Sequence, residues 1–232
     1  MTTLLDALHN AASLLISLDP DVMQYALRSL YIALVSTCLA SIIGVPLGLV
    51  IAERSFAGKR AIVTVLNTLM GLPTVVVGLF VYSFISRHGI FGGLGWLFTV
   101  RGIIVGEVVL ITPLVTAVTL AAVTRRDRAV RRASLSLGAS ETQALGDVFL
   151  ESRFGILAAV IAGYGRVVGE VGVATILGGN ADGFTRTLTT AIVLDTEMGF
   201  FARALALGIV LLALSLSINI LFQFLQGGGR GQ

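Results

Sequence analysis

Charged side chains are scarce in this chain: Asp, Glu, Lys and Arg make up 12% of its 232 residues, against 56% hydrophobic residues. No soluble domain tolerates that balance, and the mean hydropathy of +0.95 agrees. Cysteine occurs once, as Cys38 inside an apolar run, which excludes an internal disulfide framework and a cysteine-cluster metal site. Lysine also occurs once. Lys59 is followed by Arg60 and lacks the leading glycine of a phosphate-binding Walker A loop, so the chain carries no ATP-binding motif. His9 and His88 are far apart, and no intramembrane carboxylates pair at a useful spacing along the sequence, which leaves no evident nucleophile or metal site for an intramembrane enzyme. No basic segment opens the chain and its first apolar stretch is short, which argues against a cleaved leader. No internal repeat is visible, which disfavours an inverted-repeat carrier. The net charge of +3 sits in particular loops, where it sets orientation in a membrane and does not imply nucleic acid.

Long apolar runs dominate what is present. A span needs about 20 mostly apolar residues to cross a hydrocarbon core of about 30 Å. Five such runs occur, over residues 27–52, 62–85, 103–123, 154–177 and 202–225. The expected fold is an all-α integral membrane protein with five transmembrane helices, a single domain over residues 1–232. Before the first span, apolar residues recur at helical spacing beside Asp6, His9 and Asn10, as in an amphipathic helix over residues 1–18 on the membrane surface. Asp19 followed by Pro20 is a helix start, with a capping oxygen and then a fixed φ. Gly44, Pro46 and Gly48 in the first span, and Gly71, Pro73 and Gly78 in the second, mark places where helices bend or pack closely. A glycine-rich loop follows the second span and holds the only tryptophan, Trp96, which suits an interfacial anchor. Residues 227–232 form a flexible, glycine-rich tail.

Ionisable residues at membrane depth are costly and mark pathways, cavities or internal pairs. In the fourth span Arg166 and Glu170 stand four residues apart, a spacing that places them on one helix face; Gly165, Gly169 and Gly172 form another. The two charges are either an internal ion pair or part of a pathway, and Glu107 in the third span is a candidate third member. After the fourth span comes GGNADGFTRTLTTAIVLDTEMG, rich in small polar residues that include Asn180, Thr185 and Thr187. They suit a re-entrant turn packed against protein, and also contact with an anion through hydroxyl and backbone N–H donors.

One segment cannot lie in lipid: residues 124–153 contain Arg125, Arg126, Arg128, Arg131, Arg132 and Arg153. Apolar residues recur within it at helical spacing and Gly138 interrupts them, which predicts a helix, a turn and a second short helix on the cytoplasmic face. The segment resembles the coupling loop of permease subunits of binding-protein-dependent ABC importers, which reads E-A-A, three residues, Gly, nine residues, then I-x-L-P. Here Arg132, Ala133 and Ser134 stand at the triplet, Leu137 precedes Gly138 at the motif's glycine, and Val148, Leu150 and Glu151 stand at the closing motif. The acid is replaced by Arg132 and the proline by Glu151. GVPLG in the first span, GLPTVVVGLF in the second and EVGVATILGGNADGFTRTLTTAI after the fourth are similar to molybdate and tungstate importer permeases, the tungstate branch above all.

That resemblance implies the type I ABC importer permease fold, a homodimer enclosing one pathway for an oxyanion, and delivery by an extracytoplasmic binding protein. It also implies two ABC ATPase subunits on the cytoplasmic side, which would hold the ATP and Mg; no cofactor is expected in this chain. Arg132, Ala133, Ser134, Leu137, Gly138, Val148 and Leu150 are then the expected ATPase-coupling residues. Glu107, Arg166, Glu170, Asn180, Thr185 and Thr187 are the expected pathway or gate. The arginine-rich loop shares one side with Arg54, Lys59 and Arg60, which predicts a bacterial or archaeal cytoplasmic membrane protein with its N-terminus outside and C-terminus inside. A channel or ion-coupled carrier, resting on Glu107, Arg166 and Glu170, is the rival reading.

Overall fold

The computed structural model describes Ser13, residues 19–124 and residues 127–227. Most of the expected surface helix over residues 1–18 lies outside the described residues, as do Arg125, Arg126 and the end of the tail. Helix α1 (Pro20–Glu53) starts as its sequence dictates: the Asp19 carboxylate accepts hydrogen bonds from the backbone N–H of Asp21 and Val22, each at 3.1 Å. Its 34 residues extend about 51 Å, longer than the bilayer core is thick. After a short linker come α2 (Lys59–Met70) and α3 (Thr74–Ile85). Gly71, Leu72 and Pro73 separate them and their axes differ by 102°, so the second expected span is a broken one. The proline cannot continue α2 and disfavours helical backbone in the residue before it.

A loop with a short 3-10 turn at Gly92–Leu94 leads to α4 (Val100–Thr124). The charged segment then forms α5 (Asp127–Ser136), a turn, and α6 (Glu141–Val168). The second piece is therefore not a short separate helix. It is the start of one 28-residue helix that carries the fourth span, with Arg153 in its middle. Helix α6 stops at Gly169, and α7 (Gly172–Gly178) resumes at 59° to it. A turn, α8 (Leu188–Glu197) and α9 (Phe201–Gly227) complete the chain. Among the described residues three helices are long and apolar enough to cross a membrane, and up to five spans result when each bent pair is one span, so the chain is an all-α, multi-pass membrane protein.

Between helices in lipid there is little hydrophobic driving force, and close packing of small residues replaces it. Helices α1 and α4 show this: a Cβ at Gly48 would lie 2.8 Å from the Thr116 carbonyl oxygen, and one at Gly44 3.1 Å from Val115. The main core lies where α1, α3, α4, α6 and α7 meet, around Ile32, Val81, Ile103, Ile111, Val168 and Leu177. A second, smaller cluster joins Ala52, Leu120, Val123 and Val148 at the other end of α1 and α4, where the charged segment packs.

Candidate functional site

The charged segment folds as its local sequence specifies. At the end of α5 the Ala139 N–H donates to the Ser134 carbonyl and the Gly138 N–H to the Leu135 carbonyl, both at 3.1 Å. This is a Schellman ending, with Gly138 in the left-handed region at φ +87°. Ser140 then opens α6 with a capping box: its hydroxyl accepts from the Gln143 N–H, and the Gln143 side chain accepts from the Ser140 N–H at 2.8 Å. Across the turn Ser134 Oγ donates to Asp147 at 2.7 Å. Arg131 Nη2 donates to Glu141 at 2.6 Å, and its Nε lies 2.9 Å from the Glu53 carboxylate at the end of α1. Arg132, Ala133, Leu137 and Gly138 face outward, Leu137 with 87% of its surface exposed. Leu150 is exposed too, whereas Val148 is 1% exposed and sits in the core against Ala52 and Val123.

The fourth span corrects one expectation about charge. Glu170 lies beyond the end of α6, so the four-residue spacing from Arg166 does not put the two on a common helix face, and the described ion pairs include neither residue. Arg166 instead shares an exposed surface with Ala162, Gly165 and Gly169. Of the three glycines expected on one face only Gly172 packs closely, a Cβ there lying 2.6 Å from Thr74; Gly155 does so as well, 2.6 Å from Ala122. Glu170 turns inward and caps α7, accepting from the N–H of Gly172 at 2.8 Å and of Val173 at 3.4 Å. It lies beside a small polar space of about 10 Å³ that Glu107 also lines. Two carboxylates that are distant in sequence thus meet in the interior, a pairing that spacing along the chain does not reveal.

The polar stretch after α7 is a turn whose donors are used internally. Thr185 Oγ1 donates to the Gly178 carbonyl at 2.6 Å, Asn180 Nδ2 donates to the Thr190 carbonyl at 3.3 Å, and Thr187 caps α8. Arg186 donates to the Asn180 side chain at 3.2 Å and lies 3.1 Å from Asp182. Tyr25, donating at 2.8 Å, and Arg186 beside it hold the Asp182 carboxyl below its ordinary range. Arg28 of α1 donates to the carbonyls of Arg186 and Gly183 at 2.8 and 2.7 Å.

The helical order, the broken spans and the capped cytoplasmic turn agree with a match to known proteins. The family described as binding-protein-dependent transport system inner membrane component matches residues 44–228. This chain belongs to that family of ABC-importer permeases.

The permease is 39% identical over 198 residues to a probable anion ABC transporter permease protein of Haloferax volcanii, covering 83% of this chain and 85% of that one. It is 34% identical over 216 residues to the tungstate uptake system permease protein TupB of Peptoclostridium acidaminophilum, covering 93% and 95%. In fold it resembles the crystal structure of an amino acid ABC transporter with histidines, with a TM-score of 0.64 over 92% of this chain and 94% of that chain at 14% identity. The permease is a transport subunit and not a catalyst; ATP hydrolysis is expected in a separate ABC ATPase.

Two features of the permease escape a reading of motifs. Arg131 ties the Gly138 turn to the end of α1, and its only sequence signal is membership of an arginine cluster. Tyr25 and Arg28 clamp the turn after α7, and the one available signal is an arginine inside an otherwise apolar helix.

Proposed function

We propose that the permease moves an oxyanion inward across a bacterial or archaeal cytoplasmic membrane, tungstate before molybdate, sulfate or phosphate. The observation that carries this reading is Arg166. It lies about 18 Å along α6 from Phe154, deep in the span, yet it is exposed beside Gly165 and Gly169 with no acidic partner among the described ion pairs. A guanidinium facing lipid at that depth costs several kcal/mol. A second copy of the chain across this face removes the arginine from lipid and makes it a cationic lining for a pathway. Its planar fork suits an oxyanion. Relatives named for anion and tungstate uptake support the same substrate class.

In this reading the permease is a homodimer. Two ABC ATPase subunits dock on Arg132, Ala133, Leu137, Gly138 and Leu150, with Ser134 and Val148 holding that surface in shape. An extracytoplasmic binding protein supplies the anion at the opposite end, where Asn180, Thr185 and Thr187 frame the turn, and Glu107 and Glu170 support the gate from behind. Placing the arginine-rich segment inside puts the N-terminus outside and the C-terminus inside. The test is uptake by the complete importer. Arg166→Gln is expected to lower oxyanion uptake at least about tenfold, a barrier change of about 1.4 kcal/mol, with ATPase attachment intact. Unlabelled tungstate is expected to compete better than molybdate or sulfate. Normal uptake by Arg166→Gln would remove the pathway assignment, and equal competition by sulfate would remove tungstate.

A further inference from the structure

Glu107 is the most completely buried ionisable residue on α4, with 1% of its surface exposed, and its Oε2 atom has no hydrogen-bond partner. It faces the small polar space between α1, α4 and the α6–α7 break, whose other polar lining is Ser29, Glu170, Thr187 and Thr189. At about 10 Å³ the space has room for one water at most. Glu170, 5% exposed, shares it.

The groups around Glu107 decide its charge. From α1 the facing polar group is Ser29, which already accepts from the Leu188 N–H at 3.0 Å, while Arg28 is committed to two carbonyls. On α6, Arg166 is on the exposed face and makes no ion pair with either acid, although its charge is near enough to act on Glu107 through space. Between α6 and α7, Glu170 Oε1 is already committed to two backbone N–H donors. From the segment entering α8 come only hydroxyls: Thr187 and Thr189 share a hydrogen bond at 3.0 Å, and Thr189 Oγ1 donates to the Glu170 carbonyl at 2.7 Å. Asp195 is paired with Arg203 at 3.3 Å. No described cation stands within ion-pair distance of Glu107. Two carboxylates sharing one small interior space cannot both ionise cheaply, and a buried polar atom without a partner is expensive.

We infer that Glu107 holds a proton and donates it from Oε2 to a single water in this space, which in turn donates to Glu170. One proton and one water then bind α4 to the point where the fourth span breaks and to the segment that enters α8. Losing the proton leaves two facing anions and loosens that joint. The inference concerns the interior of the chain and stands apart from which anion is moved or by what energy source.

The test uses the full permease with its ATPase in nanodiscs. Infrared difference spectra across an alkaline titration are expected to show loss of a protonated-carboxyl C=O band in the natural protein. Glu107→Gln is expected to lack that band and to lose the accompanying fall in thermal stability. Glu170→Gln is expected to keep the band. Absence of any such band in the natural protein overturns the inference without reference to a variant. So does a band that survives in Glu107→Gln or disappears only in Glu170→Gln. Thermal stability that follows sodium at constant ionic strength, with choline as control, would also overturn it, since the space would then hold a metal cation.

Discussion

Gly138 has a left-handed backbone and open space where a Cβ would stand, so the obstacle to any substitution there is torsional and not steric. A β-branched residue in that region costs on the order of 1–2 kcal/mol, enough to distort the turn while the transmembrane packing persists. Gly138→Val is therefore expected to leave the permease inserted, to weaken ATPase attachment and to abolish uptake. Gly138→Asn should be milder, because Asn tolerates positive φ, and so should Arg132→Glu, which restores the acid of the coupling motif. Pull-down of the ATPase alongside uptake measures both; normal attachment and uptake in Gly138→Val would contradict the coupling role. Gly138 is legible in sequence because it is a lone turn residue between two periodic pieces. Their depth in the spans marks Glu107, Arg166 and Glu170 as candidates for one group, but that the two acids line one space while Arg166 lies on an exposed face is decided by tertiary packing. The four-residue spacing of Arg166 and Glu170 misleads for a related reason: it implies a shared face only while the helix lasts, and α6 ends between them.

Among elements, the breaks were written locally and the continuities were not. Pro73 behind Gly71 announces the bend between α2 and α3, and Asp19–Pro20 announces the start of α1. The unbroken run of α6 from the cytoplasmic turn into the membrane is hidden by Arg153 and Gly155, which resemble a boundary. In the structure Arg153 lies on the exposed side with its guanidinium over the Phe154 ring at 4.9 Å, and Gly155 admits Ala122 of α4, so neither interrupts the helix. One continuous helix therefore joins the Gly138 turn to the break at Gly169. The packing of α7 on α3 is equally specific. A methyl at Gly172 would meet Thr74 Oγ1 at 2.6 Å and the Val75 backbone nitrogen at 3.1 Å. Gly172→Ala is expected to destabilise the permease by about 1–3 kcal/mol, read as a lowered thermal midpoint in detergent, whereas Gly208→Ala, with open space around it and outside that contact, should not lower the midpoint.

At the scale of the whole molecule, the exposed face of Ala162, Gly165, Arg166 and Gly169 is the surface on which a homodimer is expected to close. Cysteines at Gly165 or Gly169, in a Cys38→Ser background because the native Cys38 is itself exposed, should crosslink between copies in membranes. Modification only by lipid-soluble reagents would place that face against lipid instead. Composition and the five apolar runs made the membrane class legible, and the spacing around Gly138 made the ABC-importer family legible. Energy coupling is the claim on which the rest depends, and the permease has no ATP-binding motif of its own. The most direct measurement is tungstate uptake into proteoliposomes containing the permease, its binding protein, and either active or hydrolysis-deficient ATPase. Uptake that requires ATP and the active ATPase, and that ion gradients cannot sustain, is the expected result; uptake driven by an ion gradient with the deficient ATPase would contradict the account.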